Sequence, residues 1–488
     1  MEPARKSPVA AREAHEVNDV HEALERAADL LRVHDGFLAL AAAAAEEPGR
    51  APPDARRQAQ NLDDISALLD PLHPADVAYI LEALPLAQRL VVWDLVKAAR
   101  DGEILLEVSD AVRETLIEYM DDHELVAATG QLDSDEIADL APDLPREVIE
   151  NVFKLLPPAE REQLREAMSY AEDTAGALMD FDMVQIREDV TLEVVLRYLR
   201  RLDELPAHTD QLFVVDRAEQ LKGLLPVNRL LVTDPDVVVG DVMLKDYTRF
   251  NAGDDAEDVA AAFERYDLLS APVVDDAGKL VGRMTVNAVV DYTREKTDSE
   301  KLSAGGLRED EDLFASVWKS VQNRWMWLAI NLLTAFVASR VIGIFEGSIA
   351  KLVALAALMP IIAGIGGNSG NQTITMIVRA LALGQITREN AGKLFAKELG
   401  VSALNGLIWG GLVGIFAFLI YQNWQLSLVM MLAMELNLLL AAFMGVLIPM
   451  AMDKLGRDPA RGSSVMITAI TDSGGFFIFL GLATLFLV

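Results

Sequence analysis

The sequence predicts a chain of several domains: an all-α helical-repeat domain, a tandem pair of α/β units, a connecting amphipathic helix and a transmembrane domain of five α-helices. Three observations carry this reading. Charge divides the chain, because residues 319–488 hold 11 Lys and Arg against 7 Asp and Glu, so that a net −36 falls on residues 1–318 of a chain whose total is −32. The last third is built of apolar stretches near the ~20 residues that a bilayer requires. Two internal repeats of different period occupy the acidic part.

At 488 residues the chain is far longer than one core supports. Residues 1–61 are rich in Ala, Arg and Glu, with an alanine run at 41–45 and the loop-like EEPGRAPPDARR, and read as a flexible N-terminal segment. The extreme N-terminus has no apolar signal core and is expected to stay where it is made. From 62 to 175 apolar residues recur at helical spacing. PADVAYILEALP (74–85) returns as SDEIADLAPDLP (134–145), which predicts repeating helix pairs that end in Leu-Pro.

A second repeat follows. VVDRAEQLKGLLPVN (214–228) matches VVDDAGKLVGRMTVN (273–287), and each copy follows a helical stretch, 192–201 and 256–266. A buried Val-Val strand, an Asp-containing turn, a Leu-x-Gly strand and a helix make an α/β hairpin unit. These residues resemble the tandem CBS module, with unit 1 over 176–240 and unit 2 over 241–300. CBS nucleotide sites commonly read Gly-x-x-Thr/Ser-x-x-Asp. Here Gly282 and Thr285 are followed by Ala288 in place of the acid, and the first copy has Pro226 in place of the hydroxyl, so nucleotide binding stays open.

The membrane third predicts five spans, roughly 326–345, 348–366, 400–420, 426–452 and 462–488. Basic residues flank them on one side: Lys319 and Arg324 before the first, Arg379, Arg388, Lys393 and Lys397 between the second and third, and Lys454, Arg457 and Arg461 before the last. The positive-inside bias places the N-terminal part in the cytoplasm. Pro360, Gly364, Gly366, Gly367 and Gly370 predict a break and an irregular backbone at the end of span two, beside Asn368, Asn371 and Gln372.

Asp472 lies about ten residues into the last span, where a carboxylate costs ~2.5–3.5 kcal/mol unless it meets protein, water or a cation. It is the leading candidate for an ion ligand, with Ser464 and Thr468 as pore-lining candidates on the same helix. A purely structural bond from Ser463, Ser464 or Thr468 is the other reading. Glu435 stands between pore access and a structural hydrogen bond, and Arg340 is read as reaching back to the interface. The chain has no Cys, and all six His lie at or before His208. The membrane third therefore offers only oxygen ligands, which suit Mg²⁺, Ca²⁺ or Mn²⁺ better than Cu or Zn. One carboxylate per chain suits a hydrated Mg²⁺ shared by two copies. No P-loop, nucleophile elbow or His-acid constellation is present, and an enzyme is not expected.

The motifs MPxxxGxGGNxGNQ (359–372), RDPA (457–460) and Thr471-Asp472 followed by glycine, behind a helical repeat and paired CBS units, resemble the MgtE family of magnesium channels. The resemblance covers 62–488. It implies a homodimer in the inner membrane, with a cytosolic sensor, a connecting (plug) helix over 301–323 and a pore domain over 324–488. In that family an aspartate on the fifth helix coordinates hydrated Mg²⁺, which falls on Asp472. The plug helix falls at about 310–323, with Leu313, Phe314, Val317, Trp318 and Val321 as its apolar stripe. Mg²⁺ would also be the regulatory ion, at acids matched by Asp255, Glu257, Asp267 and Asp458. The family's Thr-Val-Asp-Asp reads Thr285, Val286, Asn287, Ala288 here, and Arg294, Lys296 and Ser299 interrupt the acids Glu295, Asp298 and Glu300. Weakened gating by Mg²⁺ is the resulting expectation. A transporter of Mn²⁺ or Co²⁺ and a membrane-anchored CBS signalling protein are the alternatives, and no nucleic-acid partner is expected.

Overall fold

A computed structural model describes residues 19–46, 54–202, 204–308, 311–382, 385–386, 389–459 and 462–488. The sequence-based expectations for residues 1–18 and for Arg388, Ala460 and Arg461 lie outside the described residues. The chain forms two compact units, residues 1–296 with Asp312–Ala315, and Thr297–Glu311 with Ser316–Val488.

In the first unit the helices are α1 (Asp19–Glu46), α2 (Ala55–Leu69), α3 (Pro74–Glu82), α4 (Leu86–Leu95), α5 (Asp101–Glu107), α6 (Asp110–Tyr119), α7 (Asp122–Thr129), α8 (Ser134–Leu140), α9 (Arg146–Leu155) and α10 (Pro158–Ala167). The 60-residue repeat is a repeat of burial: Val77, Ile80 and Leu84 around α3 are buried, and so are their counterparts Ile137, Leu140 and Leu144 around α8. Each Leu-Pro closes one helix and opens the next, because Pro85 and Pro145 are the N-caps of α4 and α9. Asp121 and Asp133 begin α7 and α8 with capping boxes completed by Glu124 and Glu136. The domain starts earlier than 62. Ala23, Ala27 and Leu31 of α1 are buried in the same core as Ile65 and Leu69 of α2, since one apolar stripe on α1 falls at i, i+4 and i+8.

The paired α/β units follow as β1 (Gln185–Arg187), α11 (Leu192–Leu199), β2 (Gln211–Val215), β3 (Leu221–Pro226), α12 (Val227–Val232), α13 (Val239–Val242), β4 (Phe250–Asn251), α14 (Ala256–Tyr266), β5 (Ser270–Val274), β6 (Leu280–Thr285) and α15 (Val286–Ala304). The sheets have orders β1-β2-β3 and β4-β5-β6, with a parallel and then an antiparallel pair in each. Asp216 accepts from the Ala218 and Gln220 backbones, and Asp275 accepts from those of Ala277 and Lys279. The same turn places Glu219 at φ 60° and Gly278 at φ 79°. The boundary at 176 is corrected: Ala175, Met179 and Phe181 lie in the core beneath the β4-β5-β6 sheet, and Asp180 exchanges backbone hydrogen bonds with Arg283 of β6. The free edge of β6 supplies the partner that this segment lacks next to its own sequence.

The second unit contains α16 (Val317–Ile344), α17 (Glu346–Lys351), α18 (Ala354–Ala382), α19 (Ala391–Tyr421), α20 (Trp424–Lys454) and α21 (Ser463–Phe486). Among the described residues α16, α19, α20 and α21 are long and apolar enough to cross a bilayer. The fifth, α18, has 29 residues, with its apolar share lowered by GGNSGNQ. Pro360 does not break it, nor does the helix end near 366. The missing N–H of Pro360 falls in the second turn, and packing on neighbouring helices carries the rest. Among the described residues a separate helix over 311–323 is not formed either. Ser316 caps α16, residues 317–323 are its first two turns, and Leu313, Val317 and Trp318 are exposed.

Adjacent carboxylates flank the second of the chain's three crossings between units. In the second unit Glu311 accepts from Asn323 at 2.9 Å and from Arg324 at 2.8 Å. In the first, Asp312 accepts from Arg89 at 2.7 and 3.3 Å, while Arg89 also donates to the Leu81 and Leu84 carbonyls. Arg89 is fully buried and Asp312 is 8% exposed. Arg89→Met therefore strands a buried carboxylate and is expected to destabilise the first unit by about 3–5 kcal/mol. Adding Asp312→Leu should recover most of that loss. Urea titration of the purified chain checks both, and an equal loss in the double variant would refute the pairing.

Candidate functional site

Close packing of four helices fixes the candidate ion path. On α19, Gly406, Gly410 and Gly414 face α20: a Cβ on Gly410 would sit 3.0 Å from the Met431 carbonyl and one on Gly414 3.1 Å from that of Ser427. A Cβ on Gly406 would run into the Glu435 carboxylate, whose Oε2 is buried with no hydrogen-bond partner among the described residues. Glu435 thus points into the α19–α20 seam, and α19 buries Glu398 beside Lys397, 3.4 Å away. Arg340 is exposed on α16.

Asp472, the tenth residue of α21, is half-buried, as are Ser464 and Thr468 at i−8 and i−4 on the same helical row. The hydroxyls do not tie the carboxylate down. Thr468 donates to the Ser464 carbonyl at 2.9 Å, and Ser463 donates to the Pro459 carbonyl and approaches Met452 Sδ. Among the described residues Asp472 receives no hydrogen bond. The neighbouring row of α21, with Ser463, Ile467, Thr471 and Gly475, is buried. On α18, Gly367 packs towards Thr471 and Gly370 against Ile467. Asn368 and Gln372 are exposed and Asn371 is half-buried. The three amides therefore lie on the open side of a regular helix, beside the α18–α21 seam, rather than in a loop.

Sequence reasoning missed Asn437. Fully buried on α20, it donates to the Ile362 carbonyl at 3.0 Å and lies between Gly366 of α18 and Gly475 of α21. A second polar residue, two positions after Glu435 in the apolar middle of a 31-residue helix, was the available signal.

In the first unit the acids expected to sense Mg²⁺ are dispersed. Asp255 caps α14 by accepting from the Glu257 backbone at 2.9 Å, and Asp267 ends the same helix at φ 51°. Glu257 and Asp267 are exposed, and Asp458 belongs to the second unit, in the turn after α20. No group of three or more acids or histidines with metal-binding geometry occurs among the described residues. Thr285 accepts from the Ala288 backbone at 3.3 Å at the start of α15, and a Cβ on Gly282 of β6 would meet Met179 Sδ at 2.7 Å, so Gly282 makes room for the Met179 segment.

Carboxylates crowd elsewhere. Burial, and then the Asp180 carboxylate, push Asp135 up to about 8. Asp139 is raised to about 7, by the protein around it and by Glu295 against the pull of Arg113, and Asp101 to about 6, by burial and Glu124. Burial and Asp291 raise Glu107, and burial and Asp110 raise Glu295. Cations share the crowd: Arg113 holds Asp110 at 3.2 Å and Asp143 at 3.4 Å, and Arg294 pulls Asp291 and Glu107 down.

Comparison with known proteins adds three findings. The family described as "MgtE: Divalent cation transporter" matches residues 359–482, the MgtE intracellular N domain matches 72–173, and the CBS domain matches 239–295. The magnesium transporter MgtE of Thermus thermophilus is 31% identical over 431 residues, 86% of this chain and 94% of that protein, and that of Bacillus subtilis is 26% identical over 426 residues, 87% and 94%. A crystal structure of the cytosolic domain of the Mg²⁺ channel MgtE in complex with ATP is 30% identical and covers 52% of this chain and 99% of that one, with a TM-score of 0.42.

Carboxyls raised in the folded state favour it when protonated, so the stability these groups contribute is fully present at low pH and is lost as pH rises from the ordinary carboxylate range through about 6 to 8. Thermal melts of the purified chain are expected to show the first unit losing stability between pH 6 and 8.5. Asp135→Asn should flatten that slope and raise the pH 8.5 midpoint by about 2–4 °C, the response to ~1 kcal/mol in a unit of this size. A steeper slope in the variant would contradict the assignment.

Proposed function

The chain belongs to the MgtE family of magnesium transporters, and from that premise we propose that it carries Mg²⁺ across a membrane along a path that passes Asp472. The observation that supports this most is the state of that carboxylate: mid-helix, half open, and without a hydrogen-bond donor among the described residues. In hydrocarbon such a group needs an ion or water as its partner. Glu435 differs, since it points into a helix seam against Gly406. Oxygen donors match a hard divalent cation, and Mg²⁺ keeps its own waters when it binds one or two carboxylates. Two copies of the chain, each bringing Asp472 to a shared axis, supply that number. Ser464 and Thr468 line the approach along α21, and Asn368, Asn371 and Gln372 offer amide oxygens from α18. The basic residues Arg324, Arg379, Lys393, Lys397, Lys454 and Arg457 face the cytoplasm, which puts the sensor part inside the cell.

Mg²⁺ on the cytoplasmic side closes the pore by relieving repulsion among carboxylates of the first unit. It would bind the compact form in preference and shift the population towards it. Asp255, Glu257 and Asp267 remain candidates for that role, and Asp101, Asp135, Asp139 and Glu295 join them; Asp458, in the second unit, remains a candidate regulatory ligand of its own. Arg113 and Arg294 stand among the acids, so gating requires more Mg²⁺ than an all-acid surface would.

Proteoliposomes containing the full chain test the path. Mg²⁺ flux is expected to fall to background in Asp472→Ala, and flux at the parent level would remove Asp472 from the path. Competition with Mn²⁺ and Co²⁺ in the same vesicles ranks the alternative cargoes. For the sensor, half-protection of the first unit from limited proteolysis is expected only well above low-millimolar Mg²⁺. Strong protection at low millimolar ion would refute the weakened response.

A further inference from the structure

Asn437 is buried more completely than a hydrogen-bonding role requires. None of its surface is exposed, at the middle of α20, and its Nδ2 donates to Ile362 of α18 at 3.0 Å. Its Oδ1 is buried without a partner among the described residues. Two glycines on two other turns make room for the amide. A Cβ on Gly366 of α18 would run into Nδ2, and one on Gly475 of α21 would lie 2.7 Å from Nδ2 and 3.0 Å from Oδ1. Gly475 is three residues beyond Asp472, within one turn of α21, and Gly366 is two residues before Asn368. One side chain therefore sets the approach of α18 to α21 at the level of the candidate ligand.

The bland account is polar glue, since hydrogen bonds between membrane helices contribute roughly 0.6–2 kcal/mol. Glue explains the bond to Ile362. It does not explain an orphaned oxygen, which costs about 1–3 kcal/mol when buried, nor the loss of side chains from two helices around a single amide. An apolar residue of the same volume would pack the three helices without the orphan.

We propose that Asn437 is a positioning residue for ion selection: its amide acts as a spacer between α18 and α21 and so fixes the Asp472 carboxylate relative to the amide edge at Asn368, Asn371 and Gln372. This rests on the reading that Asp472 lies on the ion path. A hydrated divalent ion is held by oxygens around its waters, so a shift of one helix changes which hydrated ion fits before it changes whether any passes.

The test uses the full-length chain in proteoliposomes, with Mg²⁺ and Co²⁺ fluxes measured separately and the melting temperature of each variant recorded. Asn437→Ala and Gly475→Ala are each expected to shift the Mg²⁺ to Co²⁺ flux ratio severalfold. The double variant should move the ratio back towards the parent, because the added methyl occupies space that the amide leaves. Asn437→Leu, which keeps the volume and loses the amide, should also shift the ratio, and it serves if the alanine variants do not fold. Parent-like ratios in the folded Asn437 and Gly475 variants, whatever their melting temperatures, would reduce Asn437 to glue and overturn the inference. Asp472→Ala is measured alongside. If it conducts like the parent the path itself is wrong, whereas a silent Asp472→Ala beside unchanged ratios overturns the positioning role alone.

Discussion

Within a bilayer a polar side chain can be answered only by protein or by what passes through it, and the membrane helices of this chain are arranged around that requirement. The answer is given by missing side chains as much as by hydrogen bonds. Asn437 takes its place because Gly366 and Gly475 lack a Cβ, and Glu435 takes its place because Gly406 lacks one. Close approach at these positions makes α20 the most enclosed of the membrane helices, with Ala433, Ala441 and Ala442 buried along its length. The same approach steadies α18 through Pro360 and its glycines, residues that would weaken an isolated helix. Asn368, Asn371 and Gln372 consequently sit on a regular helix rather than in a loop.

Much of this architecture was legible in the sequence, and the parts that were not share a cause. Hydropathy located the spans, and repeated sequences located the helical domain and the paired sheets, because both signals are local. The end of span two was misjudged because Gly, Asn and Pro oppose a helix on propensity, while the packing that overrides propensity comes from α20 and α21. The segment around Met179 was assigned to the sheet that follows it, although it completes the other sheet through Asp180 and Arg283, a pairing 103 residues apart. Nothing in its own stretch of sequence announces a free strand edge so far away. The capping role of Asp255 was hidden in a similar way: an acid before a helix is as consistent with a cap as with a metal ligand, and the structure supplies the cap.

Acid crowding was the least legible feature, since it depends on which carboxylates tertiary packing brings together. Net charge located the acids in the first two thirds of the chain, but Asp135 feels Asp180 and Asp139 feels Glu295 across large gaps in sequence. These are groups for which neutralisation favours the folded arrangement, and a proton and a divalent cation neutralise the same oxygens. The two differ in reach. A proton relieves one carboxylate, whereas a divalent ion relieves two or more and holds them at a fixed separation, so it favours one compact geometry over others of equal charge.

That difference bears on the sensing role proposed for the first unit, because its acids lie among cations. Arg113 already bridges Asp110 and Asp143 and donates to the Leu105 and Val108 carbonyls, so part of the neutralisation is permanent and costs no ion. A permanent cation lowers the repulsion that a divalent ion could relieve, and with it the difference in affinity between compact and open arrangements. Because a ligand can shift an equilibrium only by its differential affinity, every arginine placed among these acids narrows the range over which Mg²⁺ can act. Protons face the same limit, and as pH falls they occupy the carboxylates that remain. On the proposed sensing reading, a response of the first unit to Mg²⁺ is coupled to pH: strongest where Asp135 and Asp139 are ionised, above about pH 8, and weakest where both carry protons, below about pH 6.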